Sequence, residues 1–389
     1  MRHALQARHA PAAPSAPRAA GHRDAHVAAV TSDVTADVTA DVTAPVMAGA
    51  TAELWPTAAA DNGFERLGFE IGWDHAHHRL TPPADHLHGQ HPVRQGWDAG
   101  RAAFGTRTLR PTRAVQRWLA LRLQAWAAGI PFEGLMVTPH YLAQIEVLQC
   151  PVTREVLTQG QGLPTDAMVM RLRADEAYAA GHLVVVSRRV AQARGQAGAA
   201  EVAGLVARLH QQAQPAALPG GLSLAQWERL SGLLSLAERA PYERLATRPL
   251  RVLPPNRVVL TNPSQALQVL LTQLLMGEGY AQRQKAVAVL LPHADARRAF
   301  NLFMSALLAR RLAAGWALDT QRLRTALEDA WMQPVIQRRW EQLVLRLTRG
   351  ECERIVQAAA RQGLFGGASR WLGDDALAQG WVPAAREAA

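Results

Sequence analysis

The stretch that most restricts the fold of this chain is residues 138–194, where the pattern of apolar residues changes from helical to strand-like and back. It opens with Thr138-Pro139, and a capping hydroxyl followed by proline predicts the start of a helix. Two short apolar runs, 169–172 and 183–186, predict strands joined by a loop. Ser187 then predicts the cap of a second helix. The order of these elements predicts a compact unit of two strands and a helix, preceded by a further helix.

The remainder of the chain predicts helices on both sides of this unit. With 389 residues, of which 49% are hydrophobic, the chain can form a sizeable core and is long enough for two domains. Residues 1–60 are rich in Ala, Pro and His, which predicts a disordered low-complexity tail. A segment rich in Gln, Pro and Gly at 211–221 predicts a boundary between a domain at 61–212 and a helical domain at 213–389. The predicted fold class is mainly α, formally α+β, with an all-helical second half.

Motif residues within 138–194 stand in the order and spacing of a phage-type HNH endonuclease. The matching positions are Thr138, Tyr141, Leu142, Cys150, Pro151, Thr153, Arg171, Tyr178, Leu183, Ser187 and Arg194. The stretch therefore resembles that ββα-metal family, and the resemblance is confined to these residues. It implies a ββα fold in which a strand carboxylate and a side chain of the last helix hold a divalent metal that neutralises the scissile phosphate.

The positions that carry the chemistry of this family differ here. Met170 stands where the metal-binding carboxylate is expected, and Ala191 replaces the ligand on the last helix. Neither side chain can hold a hard, oxygen-preferring cation. Arg171 occupies the position of the base, and His182 replaces the central Asn. The resemblance thus implies a degenerate module, for which no cofactor is expected. If the module is active, it implies Arg171 and His182 as catalytic residues and magnesium or manganese as the metal.

The arginines of this chain are candidates for contacts with nucleic acid. The net charge of +10 permits a polyanionic partner, and residues 99–132 hold six arginines and no acid. A helix predicted at 113–128 carries one group, and the helix after Ser187 carries another. The candidate nucleic-acid-binding residues are Arg113, Arg117, Arg122, Arg188, Arg189 and Arg194. Arg122 falls within the apolar arc of its helix, so the alternative for it is an ion pair with an acid of another element, packed on tryptophan.

A histidine-rich segment at 75–91 holds six of the chain's fourteen histidines. Imidazole groups bind transition metals, so these residues are potential ligands. The candidates are His75, His77, His78, His86 and His88. The segment contains no pair of histidines four residues apart and no matching cysteines, which favours a polar surface loop. No metal site is therefore predicted.

Other classes of protein fit the sequence less well. Two cysteines, Cys150 and Cys352, cannot form a disulfide framework, which is typical of a reducing cytoplasm. No run of about 18 apolar residues predicts a membrane helix. The sequence has no phosphate-binding glycine loop, dinucleotide-binding, serine-hydrolase or zinc-protease motif. We therefore expect a cytoplasmic protein without a membrane partner.

Three functions remain as hypotheses. The first is a nucleic-acid-associated protein that binds the phosphate backbone through arginine-rich helices and carries a degenerate HNH-like module. The second is a divergent, active metal-dependent nuclease, centred on Asp166, Asp175, His182 or the histidines of 75–91. The third is a helical scaffold that acts through a protein partner or a homo-oligomer, without a role on nucleic acid. A requirement for divalent metal separates the second from the first, and salt-dependent binding separates the first from the third.

Overall fold

The computed structural model describes residues 63–211, 218–277, 279–315 and 319–364 and the backbone of residues 370–371. Within these ranges the protein is mainly helical with a small antiparallel sheet, which confirms the predicted fold class. The tail predicted at 1–60 lies outside the described residues. No helix of the described ranges is long and apolar enough to cross a membrane.

The helices and strands have the following bounds. The α-helices are α1 (Gly63–His77), α2 (Pro92–Phe104), α3 (Arg113–Ala127), α4 (Pro139–Gln144), α5 (Arg188–Arg194), α6 (Ala199–Gln211), α7 (Leu224–Ser235), α8 (Tyr242–Ala246), α9 (Pro263–Leu274), α10 (Tyr280–Leu290), α11 (Ala294–Ala313), α12 (Thr320–Ala330), α13 (Pro334–Val344) and α14 (Arg349–Arg361). The strands are β1 (Ala167–Arg171), β2 (Leu183–Ser187), β3 (Val259–Leu260) and β4 (Arg370–Trp371). β1 and β2 pair in antiparallel, and β3 and β4 pair in parallel. The described second half is therefore helical apart from this pair of two-residue strands.

The first two helices of the described chain, α1 and α2, pack so closely that their backbones are in contact. A Cβ atom built on Gly72 of α1 would lie 1.9 Å from the carbonyl oxygen of Val93, and one built on Gly96 of α2 would lie 1.9 Å from that of Phe69. Only glycine leaves room for contacts this short. Trp126 of α3 covers the pair, and its indole Nε1 donates to the carbonyl of Phe64 at 2.7 Å. These contacts position the loops that join the three helices.

The hairpin of β1 and β2 lies between two hydrophobic cores. Val184 and Val186 of β2 pack into the larger core, whereas Leu183 and Val185 pack into a smaller one beside α3 and α4. Because successive side chains of a strand point to opposite faces, a strand that is buried on both faces reads as an unbroken apolar run. α5 follows the hairpin directly and ends at Gly195, whose φ is +56°. The predicted order of two strands and a helix is therefore present.

The larger core extends from the hairpin into the helical second half. Its buried members run along the chain from Cys150 to Ala359. At its centre the indole rings of Trp331 and Trp340 lie 5.5 Å apart, and that of Trp331 donates to the Thr272 hydroxyl of the buried helix α9 at 3.0 Å. The hairpin and the second half thus share apolar contacts. The boundary placed near residue 212 stays a prediction, because a shared core does not test whether either half folds alone.

Candidate nucleic-acid interface

The two residues at catalytic positions of the HNH resemblance lie inside the protein. His182 is fully buried, and its Nε2 donates to the carbonyl of Ala177 at 2.8 Å. Burial lowers the pKa of His182 to about 4, so the ring is neutral near pH 7. Arg171 is 8% exposed, donates to the carbonyl of Glu176 and lies over the ring of Tyr178 at 5.0 Å. Both side chains therefore support the loop between β1 and β2, and their catalytic role stays a prediction.

Two of the α5 arginines fasten that helix to the loop before β1. Arg188 donates through Nη2 to Asp166 Oδ2 at 3.0 Å, and Arg189 forms an ion pair with Glu155. Asp166 is 2% exposed and also accepts from the Thr158 hydroxyl at 2.7 Å. The hydrogen bond from Thr158 lowers the pKa of Asp166 below its ordinary value. This carboxylate is already saturated with donors, so it holds the loop in place.

Arg194, the last residue of α5, is buried. It donates to the carbonyls of Ala197 at 2.9 Å, Arg171 at 2.5 Å and Leu172 at 3.2 Å. Burial lowers the pKa of Arg194 to about 10, which leaves the guanidinium charged near pH 7. Its donors close the end of β1 against the end of α5.

Two of the α3 arginines also have acidic partners within the protein. Arg117 pairs with Glu146, which precedes the turn into the hairpin. Arg122 pairs with Asp74 of α1, and its guanidinium lies 4.5 Å from the centre of the Trp118 ring. The sequence offered this arrangement, an acid of another element with packing on tryptophan, as the alternative to phosphate binding for Arg122. Both arginines contribute to holding α3 against its neighbours.

The remaining candidate, Arg113, belongs to a group of exposed arginines between α2 and α3. We call Arg101, Arg107, Arg110 and Arg113 the arginine strip. No carboxylate of the described residues lies within ion-pair distance of any of the four, whereas the neighbouring Arg94, Arg117 and Arg122 are all paired. Sequence reasoning missed the first three members because it looked for a helix face. The absence of acids from 99–132 could have identified the connecting loop as well.

The histidines of α1 are packed among neighbouring side chains. His75 is buried and its Nδ1 donates to the carbonyl of Ile71 at 2.7 Å, and burial lowers its pKa. His77 stacks on Phe104 of α2, with ring centres 4.3 Å apart. His78 is half-buried, and burial lowers its pKa as well. The prediction of a polar surface loop is thus wrong for His75 and His77, because both residues lie on helix α1.

The later histidines lie with their rings close together before α2. His86 Nδ1 lies 3.4 Å from His91 Nε2, and the ring of His88 lies 5.1 Å from that of His91. The backbone amide of Val93 donates to His91 Nδ1 at 3.3 Å. A metal on Nε2 would require a proton on that same Nδ1, which conflicts with this bond. Among the described residues, no group of three or more His, Cys, Asp or Glu is arranged to hold a metal ion.

No protein-family model, curated protein or solved structure matches this chain. The resemblance of residues 138–194 to HNH-type endonucleases therefore rests on motif spacing and stays a prediction.

Proposed function

We propose that this protein binds nucleic acid through phosphate contacts made by the arginine strip, without cleaving the strand. The observation that carries the proposal is the concentration of four exposed guanidinium groups, without an acidic partner among the described residues, within residues 101–113. The strip comprises the last turn of α2, the exposed loop after it and the first turn of α3. Its length along the chain suits a nucleic-acid backbone, which offers a row of phosphates.

The strip favours phosphate binding because its charges are not already committed. An arginine that has a carboxylate partner must give up one charge-assisted hydrogen bond to gain another. Arg117, Arg122, Arg188 and Arg189 are in that position. The strip arginines exchange only water and counterions, so each phosphate contact releases a counterion and yields binding that weakens with salt.

Two features of the hairpin module support binding without cleavage of the strand. Met170 and Ala191 offer no oxygen or nitrogen ligand to a metal at the positions where the HNH resemblance requires one. Arg171 and His182 are engaged beneath the surface. These features support a module that contributes to the fold and to the placement of α3.

The test is fluorescence anisotropy with labelled single-stranded and duplex DNA, at about 50 and 200 mM salt and with and without magnesium or manganese. The variant replaces all four strip arginines with glutamine. We expect its affinity at low salt to fall by about tenfold or more and its salt slope to shrink by about three, because each lost phosphate contact removes about 0.7–0.9 from the slope.

A matched control removes the same charge from exposed arginines of the second half that also have no ion pair among the described residues, Arg310, Arg338, Arg346 and Arg361. It should bind almost as the parent protein does, because a local surface rather than net charge makes the contacts. Equal losses in both variants would contradict the strip as the site. No binding at low salt would favour the scaffold hypothesis, and metal-dependent loss of the labelled strand would favour the nuclease.

A further inference from the structure

A cavity of about 760 Å³ opens beside the arginine strip, where α1 and α2 end. Its polar lining consists of Arg79, Arg101, Thr81, Thr106 and Thr108. No acidic residue belongs to the lining. Ligand cavities for small molecules commonly enclose about 300–1,000 Å³, so this one is large enough for a mononucleotide.

The two arginines of the cavity are oriented by neutral groups. The Arg101 guanidinium lies 4.7 Å from the centre of the Trp97 ring, and the Trp97 indole donates to the carbonyl of Leu80 at 3.0 Å. Arg79 Nε donates to the Thr108 hydroxyl, which leaves both Nη groups for a ligand. No carboxylate of the described residues pairs with either arginine. Both guanidinium groups are thus held in place without an acidic partner among the described residues.

The backbone at Arg79 holds this side chain in a fixed position at the end of α1. Its φ is +53°, in the left-handed region that residues other than Gly, Asn and Asp rarely adopt. The conformation is held in part by the amide of Arg79, which donates to the carbonyl of Ala76 at 3.1 Å. The amide of Leu80 also donates to the carbonyl of His75 at 2.8 Å, so the left-handed residue closes the C-terminus of α1 and fixes the point from which the Arg79 side chain enters the cavity.

The balance of charge at the cavity is positive. The C-terminal ends of α1 and α2 meet here, since the ring of His77 stacks on that of Phe104 at 4.3 Å and Leu109 N, just after α2, donates to the carbonyl of His77 at 2.8 Å. Each helix end contributes about half of a negative elementary charge. Two full positive charges exceed the sum of the two ends, so the cavity retains an excess of about one positive charge.

We infer that this cavity binds a phosphate monoester, either the 5′-terminal phosphate of a nucleic-acid strand or that of a free nucleotide. A monoester carries about −1.5 to −2 charge near pH 7 and three acceptor oxygens, which match two guanidinium forks and the threonine hydroxyls. The cavity and the strip share Arg101, so a strand lying along the strip has its end within reach of the cavity. The strand-end form of this inference rests on the proposed function, whereas the free-nucleotide form does not.

The experiment compares one oligonucleotide with a 5′-phosphate and with a 5′-hydroxyl, by anisotropy of a 3′ label. We expect the phosphorylated strand to bind about tenfold more tightly, which corresponds to the net contribution of about one hydrogen bond to a charged group. Arg79→Asn, which tolerates the left-handed backbone, and Arg101→Gln should reduce the ratio to about one. The matched control Arg110→Gln should weaken both strands equally and preserve the ratio.

A second arm measures the thermal shift of the protein with a nucleoside 5′-monophosphate against the unphosphorylated nucleoside. A shift that occurs only with the monophosphate and is lost in Arg79→Asn supports the cavity, with a free nucleotide as its source. Equal binding of the two strands together with no monophosphate shift overturns the inference, even if strip-dependent DNA binding persists. If the four-arginine variant binds DNA as tightly as the parent protein does, while the parent protein keeps its shift with the monophosphate, the proposed function is overturned and the cavity site still stands.

Discussion

At the residue scale, His182 couples folding to pH. Its ring is fully buried and its pKa is lowered by burial to about 4, from an ordinary value of 6.5. As the pH falls from 6.5 towards 4, His182 binds a proton in the unfolded chain but stays neutral in the folded protein. The free energy of unfolding therefore falls through this window, by up to about 3 kcal/mol in total, and is constant for this group above it.

The measurement is urea unfolding at about pH 7, 5.5 and 4.5 for the parent protein and for His182→Gln, which keeps an N–H donor for Ala177. Buried His75 and the hydrogen-bonded Asp166 lose stabilisation on acidification in both proteins, so the difference between the profiles isolates His182. We expect the variant to be less stable near neutral pH and flatter towards acid pH. Parallel profiles would show that His182 is not the titrating group.

The arginines show how far single residues could be predicted. The exposure of Arg113 at the first turn of α3 follows from its place beside the Thr112 cap. The ion pair of Arg122 joins it to Asp74, 48 positions earlier, and sequence spacing carries no information on a contact of that range. The local density of positive charge could therefore be predicted from the sequence. Which arginines stay free of acids depends on the tertiary fold.

At the element scale, the packing of α1 on α2 depends on glycine at the crossing points. Gly72→Ala would place a Cβ against the Val93 carbonyl, which is backbone and cannot move aside without separating the helices. We expect this change to lower the free energy of unfolding by about 1–3 kcal/mol, the usual cost of overpacking. Gly63→Ala is the control, because nothing lies within 4 Å of its Cβ position.

Urea unfolding of the two variants tests this packing, with Gly63→Ala expected to match or slightly exceed the parent protein in stability. Gly72→Ala should also weaken DNA binding, because a shift of α2 displaces the end of the strip at Arg101. Equal stability of the two variants would mean that the helices are not in backbone contact.

The starts of elements were more predictable than their ends. Thr138 caps its helix as expected, because the capping bond is made to the next few residues, whereas Ser187 stands at the start of α5 without a side-chain capping bond. The helix after Thr138 ends at Gln144, so Leu148, which continues the helical spacing of Tyr141 and Ile145, lies beyond it and is 87% exposed. Gln149 instead bridges to Val156, which draws this part of the chain into the extended conformation. That pairing depends on a turn whose geometry the apolar pattern does not encode.

At the scale of the whole molecule, ionic contacts join the hairpin module to the helical second half, and that of Arg154 reaches a buried carboxylate. Arg154, in the turn before β1, donates to Asp329 of α12 through both Nη groups, at 2.9 and 2.6 Å. Its Nη2 also lies 3.5 Å from Glu328 Oε2, and the Glu328 side chain is 6% exposed. Glu328 accepts in addition from the amide of Leu253 at 2.9 Å. The contact thus compensates a buried carboxylate across the boundary that the sequence predicted near residue 212.

Removal of this contact should loosen both sides of that boundary together. Arg154→Ala takes one of its cationic partners from a buried carboxylate, and we expect the free energy of unfolding to fall by about 2–3 kcal/mol. Hydrogen exchange should then accelerate in the turn at 150–155 and also in α12, because the shared core couples the two. Arg94→Ala, which breaks an exposed pair with Asp98 within α2, is the control and should cost less than about 1 kcal/mol. Faster exchange confined to the turn would show that the halves are stabilised separately, and the boundary near 212 would then mark two independent folding units.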